Sequence, residues 1–190
     1  MPIQSICVYC GSSAGKSSGL KSSAFDFGAL LAKHGIRLIY GGGAVGLMGA
    51  VADGALSAGG TVVGVIPKAL MDKELGHPKL HELHVVSTMH ERKLKMAELA
   101  DAFVSLPGGI GTLEELFETF TWKQLSFHEK PCSILNVDGF YDGLLQFLQH
   151  TVQAGYLKQD HLDDLIVESQ PDRLIERLQT ARHRRLDKWM

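Results

Sequence analysis

Hydrophobic and polar positions along this chain alternate in blocks. Short, nearly continuous apolar runs recur, and each is followed by a longer stretch with helical spacing. Strands are expected at 3–11, 36–43, 61–67, 83–88, 101–109, 131–139 and 165–169. Helices are expected at 22–35 (closed by Gly35), 46–60, 89–100, 112–127, 140–155 and 171–189. Residues 67–84 break the rhythm and read as a loop with a short helix. Strands that are apolar on both faces, alternating with helices, indicate a parallel sheet covered on both sides. The expectation is a doubly wound, mostly parallel α/β fold, Rossmann-like, with helices on both faces. It should form one nucleotide-binding domain over 1–190, with a basic C-terminal helix and tail from about 171 to 190.

Such sheets bind ligands beyond the carboxyl ends of their strands. Here those ends read "CGSS", "YGGG", "IP", "ST", "LPGG" and "NVDG", so the glycines gather where a ligand is expected.

Three glycine turns are candidates. "CGSSAGKS" resembles a phosphate loop, but three residues rather than four separate Gly11 from the Gly-Lys pair. It reads better as a polar turn in which Gly11 and Ser12 line a pocket. "GGGAVG" has dinucleotide-fingerprint spacing between a strand and a helix. The ribose-binding acid is missing, however, and Lys68 stands near its place. Gly42 and Gly43 then serve either a phosphate at the helix N-terminus or tight helix–sheet packing.

The third turn, "LPGGIGTLEE", poses a question of its own. Two carboxylates, Glu114 and Glu115, follow a turn whose helix start should attract anions. Gly108, Gly109 and Gly111 allow a ligand close to the backbone. Thr112 and Glu115 also fit a T-x-x-E capping box, which would give Glu115 a structural role. Upstream, "MHERKLKM" sets Arg92 and Lys93 early in a helix, where cations are unfavourable. Either an anionic substrate offsets them or they form a solvated face.

Composition narrows the classes. The chain has 190 residues, a formal net charge of −2 and a pI near 6.5, which gives no general attraction to nucleic acid or anionic membrane. No signal-peptide pattern opens the sequence, and no run of about 18 apolar residues occurs. Three cysteines fit a reducing cytoplasm better than a disulfide framework. Cys7-x-x-Cys10 lies within a strand rather than at a helix start and has no second pair, and the nine histidines lack ligand spacing. No metal or cofactor is expected.

"PGGIGTLEE" matches P-G-G-x-G-T-x-x-E, and "MHERKLKM" matches the M-x-x-R-K-x-x-M that accompanies it. With "CGSS", "YGGGAVGLMG" and "VIPK" in the same order, residues 3 to 170 resemble the LOG family of cytokinin riboside 5′-monophosphate phosphoribohydrolases. The tail "RHRRLDKWM" lies outside the resemblance. Many bacterial members once carried a lysine decarboxylase label.

The resemblance implies hydrolysis of the N-glycosidic bond of an adenosine-type 5′-monophosphate, such as AMP or its N6-isopentenyl analogue. The products would be free base and ribose 5-phosphate. It implies that Glu115 is the catalytic carboxylate with Arg92 as its partner, and that Arg92 and Lys93 contact substrate. Gly109, Ile110, Gly111 and Thr112 would hold the phosphate. Glu74 and Thr121 match further substrate-contacting positions, and Met89 and Trp122 are candidates for the base pocket. Family members are dimers or larger, with sites near the subunit interface. Two other readings compete: a non-catalytic carrier of a nucleotide or of molybdenum cofactor on the same fold, and lysine decarboxylation, which normally needs pyridoxal phosphate on a lysine.

Overall fold

The computed structural model describes residues 3–71 and 76–181. Seven strands form one sheet: β1 (Ser5–Tyr9), β2 (Arg37–Tyr40), β3 (Val62–Pro67), β4 (Glu82–Val86), β5 (Ala102–Ser105), β6 (Cys132–Leu135) and β7 (Leu165–Glu168). Their order is β4-β3-β2-β1-β5-β6-β7, and every pairing is parallel. The sequence suggested a mostly parallel sheet; the described sheet is entirely so. The eight α-helices among the described residues are α1 (Ser18–Lys33), α2 (Gly46–Ser57), α3 (Lys68–Met71), α4 (Met89–Leu99), α5 (Ile110–Gln124), α6 (Asp142–Gln153), α7 (Gln159–Asp163) and α8 (Pro171–Thr180), with a short 3-10 helix at Val137–Gly139.

Alternation along the strands divides the interior into two layers. Ile6, Val8 and Cys10 face one layer, with side chains of α1, α2 and α8. Cys7 and Tyr9 face the other, with side chains of α4, α5 and α6. In the first layer α1 and α2 meet backbone to backbone. A Cβ on Gly28 would lie 2.0 Å from the Val51 carbonyl oxygen, and one on Gly54 would lie 1.9 Å from that of Phe25. The small residues of α2 therefore let two helices approach more closely than side chains would permit.

The chain winds from β1 outward to β4, then crosses back to place β5 on the other side of β1. This reversal fixes the crevice between the ends of β1 and β5 as the ligand position in an open α/β sheet. At the opposite end the Asp101 carboxylate pins the pair together. Its Oδ2 accepts bonds from the Gln4 amide (3.0 Å), the Ser5 amide (2.9 Å) and the Ser5 hydroxyl (2.8 Å).

Some boundaries differ from the sequence reading. α1 begins at Ser18 rather than Ser22, and α5 at Ile110 rather than Thr112. The short α7 was not anticipated. The basic end of the last expected helix, 182–190, lies outside the described residues. Among those residues, no helix is long and apolar enough to cross a membrane.

Candidate active site

Where β1 and β5 end, a cavity of about 270 Å³ opens, lined by segments from five parts of the chain. The Gly11 amide donates to the Pro107 carbonyl at 3.1 Å and so joins the two loops. The Gly11 carbonyl in turn accepts from the amides of Leu47 (3.0 Å) and Met48 (3.3 Å) at the start of α2.

That second contact decides the role of "GGGAVG". The first amides of α2 are directed at the protein's own backbone. A Cβ on Gly46 would stand 2.3 Å from the carbonyl of Ser12. Gly42 accepts a bond from the His77 amide at 3.0 Å, and Gly43 forms a bridge with Gly76. Neither Gly42 nor Gly43 lines the cavity; of the three consecutive glycines, Gly41 does. Beyond Gly41, the fingerprint here serves packing.

"PGGIGTLEE" behaves differently. α5 takes Gly109 as its N-cap, no side chain caps it, and its first turn carries no acidic residue. Its opening residues Gly109, Ile110, Gly111 and Thr112 line the cavity. The amides of a helix's first turn have no intrahelical partner and favour an anion. The glycines divide the work. Gly108 is required by Thr112, whose Oγ1 would be 2.1 Å from a Cβ placed there. A Cβ on Gly109 or Gly111 would meet no protein atom within 4 Å. Those two glycines keep space open where a ligand would lie.

Because α5 starts at Ile110, Thr112 and Glu115 are the third and sixth helical residues. They cannot form the capping box that their spacing suggested. The box-like arrangement occurs in α4 instead. There Thr88 Oγ1 accepts from the Glu91 amide at 3.1 Å, and the Glu91 carboxylate accepts from the Ser87 amide at 2.8 Å. Glu115 is half-buried and lines the cavity beside Gly111 and Thr112. Helical side chains lean toward the N-terminus, so its carboxylate is carried toward the helix start.

The adjacent cations Arg92 and Lys93 of α4 are not solvated; Arg92 is 5% and Lys93 6% exposed. β2 stops at Tyr40 while β3 continues to Pro67. The Thr61 carbonyl bonds the Leu38 amide, and the period of two turns Val63 and Val65 to the same side. Val65 lies beyond the last paired residue of β2, so its carbonyl has no ladder partner there. The Arg92 Nε donates to it at 3.1 Å, and Nη2 donates to the Gly41 carbonyl at 2.9 Å. Lys93 points elsewhere, to Glu114 and to Glu118 at 2.9 Å. Burial alone would depress the ammonium's pKa, but the two carboxylates outweigh it and the net shift is upward. This accounts for Glu114: it ties α5 to α4. Lys93, expected at the substrate, does not line the cavity.

Sequence reasoning missed part of the wall. Tyr9, Cys10, Met48 and Met96 line the cavity with Met89. Met96 was discoverable: Met89, Arg92 and Met96 are spaced i, i+3, i+7 and share a helix face. The Cys10 thiol is pushed well up by burial and by Glu115, and pulled down by Arg92. Thr121 is exposed and away from the cavity, and Trp122 packs into the core instead. Glu74 lies outside the described residues. Among the described residues, no group of three or more His, Cys, Asp or Glu side chains could hold a metal.

The sequence profile of a family described as "Possible lysine decarboxylase" matches residues 48–178. The chain is 50% identical over 155 residues to the cytokinin riboside 5′-monophosphate phosphoribohydrolase LOG of Oryza sativa subsp. japonica, covering 82% of this chain and 64% of that protein. It is 44% identical over 174 residues to the Arabidopsis thaliana enzyme LOG3, covering 92% and 81%. Among solved structures, the molybdenum cofactor carrier protein of Chlamydomonas reinhardtii superposes with a TM-score of 0.71 at 22% identity, covering 93% of this chain and 98% of that one. At that identity the likeness concerns the fold alone.

Proposed function

The chain belongs to the LOG family of cytokinin riboside 5′-monophosphate phosphoribohydrolases, and from that premise we propose that it hydrolyses the N-glycosidic bond of adenosine-type nucleoside 5′-monophosphates, AMP and N6-isopentenyladenosine 5′-monophosphate among them. One observation carries the reading. An α5 start with no side-chain cap and no acid in its first turn opens into the cavity that Glu115 and Arg92 also line.

In this mechanism the 5′-phosphate sits on the amides of Gly109 to Thr112, using binding energy remote from the reacting bond to fix the ribose. Met48, Met89 and Met96 offer an apolar, polarisable wall to the base. The bond from ribose C1′ to the base nitrogen breaks with its electron pair leaving on the base, and the sugar develops oxocarbenium character. Glu115 stabilises that charge and accepts a proton from the attacking water. Water oxygen bonds to C1′, and the departing base takes up a proton. Arg92 binds substrate and favours charge on the leaving base.

Lysine decarboxylation finds no support at this cavity. Among the described residues no lysine lines it, and Lys93 nearby is held by two carboxylates. The carrier reading rests on likeness of fold. The working form is proposed to be a homodimer or larger. Exposed Met89 and Ile110 at the cavity support that assembly, and light scattering on the purified protein reads it directly. A cytoplasmic setting suits its three free, buried thiols.

The test is chromatography of the products after incubation with each nucleotide. Free base and ribose 5-phosphate, absent with Glu115→Gln, are the expected result. Bound but intact nucleotide would move the assignment to a carrier.

A further inference from the structure

Arg92 donates to two backbone carbonyls, those of Val65 and Gly41. The second depends on what residue 41 lacks. A Cβ on Gly41 would stand 2.0 Å from Arg92 Nη2 and 3.1 Å from both Arg92 Cζ and Met48 Sδ. Nothing else demands glycine there, because its φ is not among the positive values, unlike that of Gly42. Every one of those near atoms is the far end of a flexible side chain. A methyl group at this position would therefore leave the backbone in place and push the guanidinium aside.

We infer that Gly41 is the positioning residue for Arg92: its carbonyl fixes the guanidinium plane, and its missing side chain makes room for that plane at the end of β2. The inference rests on the proposed role of Arg92 at the substrate. It gives the first glycine of "GGGAVG" a task in the reaction, although the rest of that motif serves packing. Misplacing a reacting or orienting group by about 1 Å costs on the order of 10²-fold in rate, which is the scale expected for Gly41→Ala.

The experiment is a double-mutant cycle with a second, activity-free readout. Base release is measured for the wild type, Gly41→Ala, Arg92→Lys and the double variant. Gly41→Ala is expected to lower kcat/KM about 100-fold. In the Arg92→Lys background, where no guanidinium remains to displace, it should cost less than about 3-fold. Equal losses in both backgrounds would overturn the inference.

Alongside, ¹⁵N NMR follows the Arg92 Nε–H, assigned by its disappearance in Arg92→Lys. The expected signal exchanges slowly in the wild type and shifts in Gly41→Ala. Rapid exchange in the wild type, or an unmoved signal in the variant, would also overturn the inference. Should the wild type release no base, the proposed function fails while the NMR readout still decides the coupling. Should Gly41→Ala not fold, exchange in the wild type decides it.

Discussion

The Lys93 ammonium lies 2.9 Å from Glu118 Oε1, and it also bonds Glu114. α4 and α5 are thereby fastened one residue away from Arg92 on one side and one residue away from Glu115 on the other. The pairing is a structural device beside the cavity, and it fixes the relation between the two groups proposed for catalysis.

Lys93→Met should therefore affect both stability and rate. Breaking a fully buried pair costs about 3–5 kcal/mol. Here the side chain of Glu114 is 49% exposed, and water screens part of the loss, so about 1–3 kcal/mol is expected. Denaturant melts would measure it. kcat should fall more than KM rises, because the substrate-contacting groups remain while their spacing changes.

Glu115→Gln should remove turnover by about 10²–10⁴-fold, the scale of a lost general base. Its melting temperature should match the wild type within a few degrees, since Glu115 is not a capping residue. Calorimetric titration with AMP should still show binding. A variant that loses stability and activity together would return Glu115 to a structural role.

Gly111→Ala should separate folding from function. The added methyl meets no protein atom within 4 Å, and alanine within a helix stabilises by about 0.5–1 kcal/mol over glycine. The variant should melt at or above the wild-type temperature while binding AMP more weakly. Tighter or unchanged binding would show that the space at Gly111 is not where the nucleotide lies.

Gly54→Ala should do the reverse. Its Cβ would collide with the Phe25 carbonyl of the facing helix, and overpacking against backbone costs about 2–3 kcal/mol or more. Thermal melts should show a large drop. What folded protein remains should turn over normally, because neither residue lines the active-site cavity.

His128 makes stability depend on pH. Burial is the largest cause lowering its pKa, to about 4 from 6.5. The Lys130 amide donates to Nδ1 at 3.2 Å, so Nε2 carries the proton and donates to the Thr119 carbonyl at 3.0 Å. A second proton on Nδ1 would face that amide. Between about pH 6.5 and 4 the unfolded chain binds more protons than the folded one. Stability from this group is complete above that window and falls as the pH drops through it. Melts across pH 7 to 4 should show a shallower decline in His128→Gln than in the wild type.

The strands, the parallel sheet and the glycine-rich face were legible because periodicity of apolar residues is a local signal. The roles of the three glycine turns were not, since they depend on what each absent Cβ would meet. Gly46 meets the Ser12 backbone, whereas Gly111 meets nothing. Likewise "MHERKLKM" showed two adjacent cations, but only the packed helix reveals that Arg92 turns to carbonyls and Lys93 to carboxylates. The capping reading stayed open at Thr112 because T-x-x-E occurs at both Thr88 and Thr112. Only the first threonine stands at a helix boundary.

The jump from β4 back to β5 has a consequence for synthesis. The first four strands can pair with one another in order as the chain emerges. β1 nevertheless lacks its second neighbour until Ala102–Ser105 arrives and Asp101 clamps Gln4 and Ser5. At that point the nascent chain holds Arg92, whereas Glu115 and the start of α5 are still to follow. A partly made or cleaved chain ending at that pairing would carry Met89, Arg92 and Met96 without the α5 side of the cavity. Pairing of β5 with β1 thus sets the frame, and α5, which follows it in the chain, completes the cavity.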